Sequence, residues 1–287
     1  MSGLMTGENS EAQAEVVAAA IKAGINWFDT APGYGAGSSE TNLGKSLSAL
    51  GARGSVHIAT KVRIPLDVTE PICDLVRRSV EESLQRLRVS RVTLLQLHNG
   101  ITKNRADEPA SITPTDILQR GGVADAFRKL RDDGLVEHLG LTGTGHPAAM
   151  REVIRSGEFD TVQAPFNMLN SSAGSGASPT NGDTDYGNIF ADCAAMKMGV
   201  FAIRVFAAGA LLKQPPSAHT LKTPYFPLAL YQHDTARAAQ LQSELGHDVS
   251  MTEAAIRFAL SHAAVTSAII GFGSASQVVD ASCIQVP

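Results

Sequence analysis

Four titratable side chains lie at or just after the ends of three successive apolar segments. Asp29 ends the first segment and Tyr34 lies in the turn that follows it. Lys61 and His98 end the second and third segments. A free phenol has a pKa of about 10, but a lysine beside it favours the phenolate, and a carboxylate can position that lysine. With a histidine binding the substrate oxygen, such a phenol can transfer a proton near neutral pH while hydride reaches a carbonyl carbon.

Any one of these residues alone is more often a solvated charge or a satisfied core group, so the prediction rests on all four together. The first two are delivered by one compact stretch. Ile25, Trp27 and Phe28 are apolar and β-prone, whereas residues 31–38 contain one proline and three glycines and must form a tight loop. Ser38 or Ser39 is expected to cap the helix that follows, with Glu40 in its first turn.

The rest of the chain alternates between short apolar runs and amphipathic segments. Strands are predicted at 56–62, 92–97, 138–142, 161–165, 200–206 and 266–270, and helices at 10–23, 71–88, 122–133, 147–156, 185–197, 232–245, 251–262 and 276–281. About eight such alternations in 287 residues predict a single domain spanning residues 1–287, a closed parallel (β/α)8 barrel whose active site lies at the carboxyl ends of the strands. A doubly wound open sheet is the alternative, weakened because no GxGxxG pattern follows an early strand.

Both ends of the predicted barrel are short. Residues 4–6 must supply the first strand if the barrel is to close, and the last helix stops soon after residue 281. The alternative is a barrel that is open there, with a truncated first strand and last helix, although an unpaired strand edge would be costly. Three long connections, 99–120, 168–184 and 207–230, are expected to form the walls of the substrate pocket.

The composition of the chain limits the classes of molecule that it is expected to bind. A net charge of −4 without a basic run argues against nucleic-acid or membrane-surface binding and favours a small-molecule substrate. Cys73, Cys193 and Cys283 are scattered without metal-ligand spacing, so no metal site or disulfide framework is expected and a cytoplasmic location is favoured. Neither a signal peptide nor a membrane-spanning apolar run is visible.

The motifs around the four residues resemble those of the aldo-keto reductases. The resemblance is carried by GINWFDTAPGYGAGSSETNLGKSL, then ATKV, then SLQRLRVSRVTLLQLH. It implies an eight-stranded α/β barrel that binds a nicotinamide dinucleotide in extended form and transfers hydride between this cofactor and a carbonyl or alcohol, such as an aldose, hemiacetal or aldehyde. In this reading Tyr34 is the general acid and base, Asp29 and Lys61 tune it, and His98 orients the carbonyl.

The same resemblance implies a set of cofactor contacts. Thr142 and Gln163 match partners of the nicotinamide carboxamide, although Gly143 stands where the family usually has an asparagine. The segment from Arg204 to Leu211 matches the part that lines the pyrophosphate. The implied cofactor-binding residues are Asp29, Thr142, Gln163, Arg204, Gly209, Leu211, Gly271, Ser274, Gln277 and Asp280.

Cofactor choice follows from the segment 271–280. Relatives that prefer NADP carry a lysine or arginine there for the 2′-phosphate, but this chain has Gly271, Gly273 and Gln277 with the acidic Asp280 nearby. NAD is therefore expected to serve at least as well as NADP, although backbone N–H groups at the helix start could still bind a phosphate. The alternative function is a non-enzymatic barrel that binds a cofactor and regulates or contacts another protein.

Overall fold

The computed structural model describes residues 2–176, 179, 183–215, 228–246 and 248–285. Its described part contains one sheet of seven parallel strands, each paired with its neighbour in chain order. The strands are β1 (Trp27–Asp29), β2 (His57–Val62), β3 (Val92–Leu97), β4 (Val136–Thr142), β5 (Thr161–Pro165), β6 (Gly199–Ile203) and β7 (Val265–Ala268).

Helices follow the strands and cover the outside of the sheet. They are α1 (Ser2–Met5), α2 (Ser10–Lys22), α3 (Ser38–Ala49), α4 (Ile72–Leu87), α5 (Pro114–Leu118), α6 (Val123–Asp132), α7 (Pro147–Arg155), α8 (Ile189–Ala195), α9 (Leu228–Leu245), α10 (Met251–Ser261) and α11 (Ala275–Ser282). The predicted fold class is confirmed: this is the (β/α)8 barrel type, with seven strands in the part of the chain that the structure describes.

Of the two possibilities for residues 4–6, the structure excludes the strand, because Leu4 and Met5 lie in the short helix α1. The described sheet therefore has the open edge that was the alternative. The Met5 side chain is fully buried in the hydrophobic core. Gln13 Nε2 donates to the Leu4 carbonyl at 3.0 Å, and Asn42 Nδ2 donates to the Met5 carbonyl at 2.9 Å. These side chains satisfy the carbonyls at the end of α1 that no later turn of helix can reach.

As a result, β1 and β7 are the edges of the described sheet, since β1 pairs with β2 and β7 with β6. The residues of β7 are all partly or fully exposed, whereas β5 and β6 are mostly buried. The layer of helices nevertheless continues across the gap between β7 and β1, because α11 packs against α2.

The motif that delivers Tyr34 is fixed by close packing of α3. An added Cβ at Gly44 would lie 2.6 Å from the Leu87 carbonyl oxygen, so only glycine lets α3 approach α4 this closely. The Glu40 carboxylate is fully buried and accepts hydrogen bonds from Thr60 Oγ1 and Arg86 Nε, both at 2.6 Å. These bonds connect α3 to β2 and α4 beside Lys61.

Several local expectations need correction. The residue that precedes α3 is Gly37, in a left-handed conformation, and Ser39 instead bonds Thr30 through its hydroxyl at 2.8 Å. The predicted helix 185–197 begins only at Ile189 because Asn188 has a positive φ of 53°. The long connection 99–120 contains helix α5, which Thr113 caps through its side chain. Parts of the other two connections, 177–178, 180–182 and 216–227, lie outside the described residues.

None of the described helices is both long and apolar enough to cross a membrane.

Candidate active site

Lys61 is the centre of a buried polar group inside the sheet. Its side chain is only 1% exposed, and Nζ donates to Asp29 Oδ2 at 2.6 Å and to the Thr30 carbonyl at 2.9 Å. A charge this deep in a protein is retained only when it is paired and hydrogen-bonded, and both conditions hold here. The two neighbouring strands β1 and β2 bring the pair together, as the sequence predicts.

Tyr34 lies next to this pair. The Lys61 Nζ atom is 4.9 Å from the centre of the Tyr34 ring. Burial by itself lowers the pKa of Lys61, but the charges of Asp29 and Tyr34 and hydrogen bonds to both outweigh it, so the pKa lies above its ordinary value. Lys61 therefore keeps its proton through the neutral range, and a protonated lysine beside a phenol favours the phenolate.

The turn before α3 places the phenol. Gly35 and Gly37 have positive φ angles of 61° and 89°, which glycine adopts without strain. Their turn brings the half-buried Tyr34 ring back over the ends of the first strands, where it meets His98. The two ring centres are 5.8 Å apart in an edge-to-face arrangement. The structure thus brings together all four residues that the sequence singled out.

The second oxygen of the Asp29 carboxylate accepts two further hydrogen bonds. Gln96 Nε2 and Gln163 Nε2 both donate to Oδ1, each at 3.0 Å. Sequence reasoning expected Gln163 to contact the cofactor and did not single out Gln96. The available signal was an amide in the otherwise apolar strand β3, because a buried amide must find a partner.

A cleft of about 1340 Å³ opens beside Asp29, Tyr34 and Gln163 and is also lined by the turn after β6 and by α11. Small-molecule pockets are typically about 300–1,000 Å³. The cleft therefore has room for a dinucleotide and a small substrate together. Gly209, Gly271 and Gly273 are among its lining residues, so backbone groups can approach a bound molecule closely.

Thr142, which the sequence predicts to contact the nicotinamide, and Gly143 lie at the carboxyl end of β4. The Thr142 hydroxyl is turned back to β3, where it donates to the Leu97 carbonyl at 2.9 Å. An added Cβ at Gly143 would lie 2.8 Å from Ile189 Cδ1 and 2.9 Å from Val162 Cγ2. A side chain at position 143 would therefore require Ile189 and Val162 to shift.

Arg204, Gly209 and Leu211 all line the cleft, as the sequence predicts for the turn after β6. The Arg204 guanidinium is largely buried. This burial lowers the pKa of Arg204, and the charges of Tyr186 and Asp234 act in the opposite sense. The environment of Arg204 therefore already contains the side chains of Tyr186 and Asp234, and its role in binding the cofactor stays a prediction.

The segment at the start of α11 also reaches the cleft. Gly271, Gln277 and Asp280 line it, whereas Ser274 is the N-cap of α11 and accepts a hydrogen bond from the Gln277 backbone N–H at 3.4 Å. Gln277 Oε1 accepts in turn from the Gly273 N–H at 2.7 Å. Two of the polar groups that a ribose phosphate could contact are therefore engaged in capping the helix.

Two basic residues that the sequence did not assign to the cofactor line the same cleft. Lys213 follows the turn after β6, and Arg257 lies on α10. Arg257 Nη2 is 2.8 Å from Glu253 Oε1, one turn earlier on that helix. Both side chains are partly exposed, so this pair offsets part of the Arg257 charge and leaves the guanidinium able to rearrange.

The second long connection is held to α9 by Arg237. Its Nη1 donates to both oxygens of Asp183, at 3.0 and 2.8 Å, and its Nη2 donates to the Leu169 carbonyl. The Asp183, His233 and Asp234 side chains lie close enough together to resemble metal ligands. The Arg237 guanidinium pairs with both carboxylates of this cluster, so these residues form an ion-pair network. Among the described residues of the connections 99–120 and 168–184, none lines the cleft, whereas the third connection does.

Polar side chains in this connection mostly bond the connection itself. Ser172 Oγ donates to Asn170 Oδ1 at 2.7 Å, and Asn170 Nδ2 donates to the Thr184 carbonyl at 2.9 Å. These side chains are therefore occupied within the connection.

Comparison with known proteins agrees with this arrangement. A family model described as the aldo/keto reductase family matches residues 2–282. This chain belongs to the aldo/keto reductase family. Among curated proteins, this aldo/keto reductase is 27% identical to a D-threo-aldose 1-dehydrogenase from Pseudomonas sp, over 92% of this chain and 80% of that protein.

Solved structures of other aldo/keto reductases share the fold. The holo form of one from Bacillus halodurans has a TM-score of 0.71 at 21% identity, covering 97% of this chain and 83% of the other. One from Klebsiella pneumoniae, in complex with NADP and acetate, has a TM-score of 0.67 at 20% identity, covering 100% and 85%. This aldo/keto reductase therefore has the fold of an oxidoreductase family, as the sequence motifs predict.

Proposed function

We propose that this aldo/keto reductase transfers hydride between a nicotinamide dinucleotide and the carbonyl or alcohol of a small substrate, with Tyr34 as general acid and base. The observation that carries the proposal is the chain of contacts from Asp29 through Lys61 to the Tyr34 ring at the wall of the large cleft. A bound nicotinamide would accept or supply the hydride.

The residues of the chain handle the proton. In oxidation, the C–H bond of the substrate gives up its hydride while the Tyr34 phenolate takes the proton from the hydroxyl on the same carbon. In reduction, the phenol returns that proton to the carbonyl oxygen, and His98 donates a hydrogen bond to this oxygen. Lys61 stays protonated, because its pKa is raised, and stabilises the phenolate after the proton has left.

The substrate class proposed is an aldose in its hemiacetal form or an aldehyde. Support comes from the curated relative, which is named for the oxidation of D-threo-aldoses. Oxidation of a cyclic hemiacetal gives a lactone: the hydride leaves the hemiacetal carbon and the proton leaves the hydroxyl on that carbon, as in an ordinary alcohol. For the cofactor, we favour NAD at least as much as NADP because segment 271–280 has no basic residue.

The first test is a panel of aldoses, pyridoxal and simple aldehydes with NAD, NADP and their reduced forms, followed by absorbance of the reduced nicotinamide. We expect turnover in the native protein and a loss of about 100-fold or more in Tyr34→Phe, the usual range for a general acid and base. Tyr231→Phe is a matched control, since the Tyr231 hydroxyl donates to the Gln214 carbonyl away from the Asp29 and Lys61 pair.

Equal turnover in native protein and Tyr34→Phe would contradict the assigned mechanism. Tight binding of a dinucleotide without turnover of any substrate would favour the alternative, a cofactor-binding barrel that is not an enzyme.

A further inference from the structure

Gln96 is a buried amide in the barrel interior that has no role in the proton transfer described above. It lies in the middle of β3 and is 0% exposed. In the register of the sheet it is opposite Lys61 on β2 and Gly140 on β4. Its amide therefore occupies the same layer of the barrel as the Lys61 and Asp29 pair, and Nε2 donates to Asp29 Oδ1 at 3.0 Å.

The two oxygens of Asp29 have different partners. Oδ2 accepts from Lys61 Nζ, whereas Oδ1 accepts from the amides of Gln96 and Gln163. An ionised carboxylate can only accept, so both amides must present their nitrogen atoms to it. Three donors on one carboxylate favour its charged form and fix the rotation that points Oδ2 at Lys61.

The other end of the Gln96 amide makes no such contact. Among the described residues, Gln96 Oε1 and Thr161 Oγ1 are the buried side-chain oxygen or nitrogen atoms that have no hydrogen-bond partner. Both side chains face Gly140, where an added Cβ would lie 3.1 Å from Gln96 Cγ. An unpaired buried oxygen is unfavourable, so a leucine would suit this layer better unless the Nε2 bond to Asp29 matters.

We propose that Gln96 is a positioning residue for the proton transfer: its amide holds the Asp29 carboxylate toward Lys61 and thereby sets the pH at which Tyr34 loses its proton. The proposal rests on the function proposed above. Gln96 acts only through Asp29 and Lys61.

The sign of the effect follows from two consequences of removing the amide. Without the Gln96 donor, the negative charge of Asp29 is less dispersed, which disfavours a second negative charge on the nearby phenol. Asp29 is also freer to rotate, so Lys61 is held less firmly beside the ring. Both effects move the ionisation of Tyr34 to higher pH. Lys61, which contacts both Asp29 and the Tyr34 ring, and His98, which contacts the Tyr34 ring, are both kept in the variant.

The experiment compares Gln96→Leu with Thr161→Val, each of which removes one unpaired buried oxygen at the same layer. The first readout is the pH profile of kcat for oxidation. The second is the pH titration of tyrosinate absorbance in the free protein, taken as the difference from Tyr34→Phe because the chain has 4 tyrosines. We expect Gln96→Leu to shift both midpoints upward by roughly half a unit or more, less than the one to three units that a directly paired charge produces. Thr161→Val should leave both unchanged.

A folded Gln96→Leu with unchanged midpoints would overturn the proposal, and so would an equal shift in Thr161→Val. If Gln96→Leu does not fold, Gln96→Met gives the same comparison with an unbranched side chain, and failure of both to fold would show that the amide serves the core rather than Asp29. These outcomes are distinct from failure of the proposed function, in which the native protein shows no turnover or Tyr34→Phe is as active as the native protein.

Discussion

At the scale of single residues, the buried pair of Lys61 and Asp29 has separable roles in stability and in catalysis. Lys61→Met keeps much of the side-chain volume but leaves the Asp29 carboxylate buried without its counter-charge. We expect a loss of about 3 kcal/mol in the free energy of unfolding, typical of breaking a buried pair. We also expect a loss of about 100-fold or more in turnover with little change in cofactor binding, because Lys61 acts on Tyr34. Urea unfolding, steady-state kinetics and fluorescence titration measure the three quantities.

The double variant Lys61→Met with Asp29→Asn is the matched control, because a neutral amide no longer needs a counter-charge. It should recover most of the stability of the native protein and none of its turnover. Recovery of both would mean that the ammonium has no part in the proton transfer.

At the scale of elements, the choice of cofactor depends on which helix reaches the 2′-phosphate. The start of α11 has no basic side chain, and the Arg257 charge on α10 is partly offset by Glu253 at 2.8 Å. We therefore expect fluorescence titrations to show NADH binding at least as tightly as NADPH. An arginine free to bind the phosphate would instead provide strong charge-assisted hydrogen bonds.

The matched variant is Arg257→Gln. NADPH binding ten-fold tighter than NADH in the native protein would contradict the prediction. Loss of that preference in Arg257→Gln would then show that Arg257 of α10, rather than α11, binds the 2′-phosphate.

At the scale of the whole molecule, the helical layer closes where the described sheet does not. The contact between α11 and α2 crosses the gap between β7 and β1, and Val278 of α11 is fully buried there while its neighbour Val279 is 52% exposed. The same substitution at the two positions measures the contribution of this contact. Val278→Ala should lower the free energy of unfolding by about 1–3 kcal/mol through lost burial and a cavity. Val279→Ala should change it by less than about 0.5 kcal/mol.

Chemical denaturation followed by circular dichroism is the measurement. Equal effects at the two positions would mean that α11 contributes little to closing the barrel. A larger loss at Val278, accompanied by weaker dinucleotide binding, would connect the closure of the helical layer to the cleft, since Gln277 and Asp280 of the same helix line it.

The sequence by itself determined the fold class and the meeting of the four central residues. Its apolar runs are short and β-branched, and they alternate with amphipathic segments, so a parallel barrel was predictable from periodicity. Because the strands of such a barrel are parallel, side chains at their carboxyl ends must converge, and Asp29, Lys61 and His98 do so. The catalytic roles of these residues and the NAD preference stay predictions.

Only the tertiary structure decided which other groups contact these four residues. Gln96 and Gln163 are 67 residues apart in sequence, and their shared bond to Asp29 depends on strand register that no local pattern specifies. The same holds at the N-terminus, where Leu4 and Met5 form a helix because Gln13 and Asn42, from later elements, bind its last carbonyls. Local propensity cannot predict such outcomes, because their free energy comes from contacts that exist only after the chain has folded.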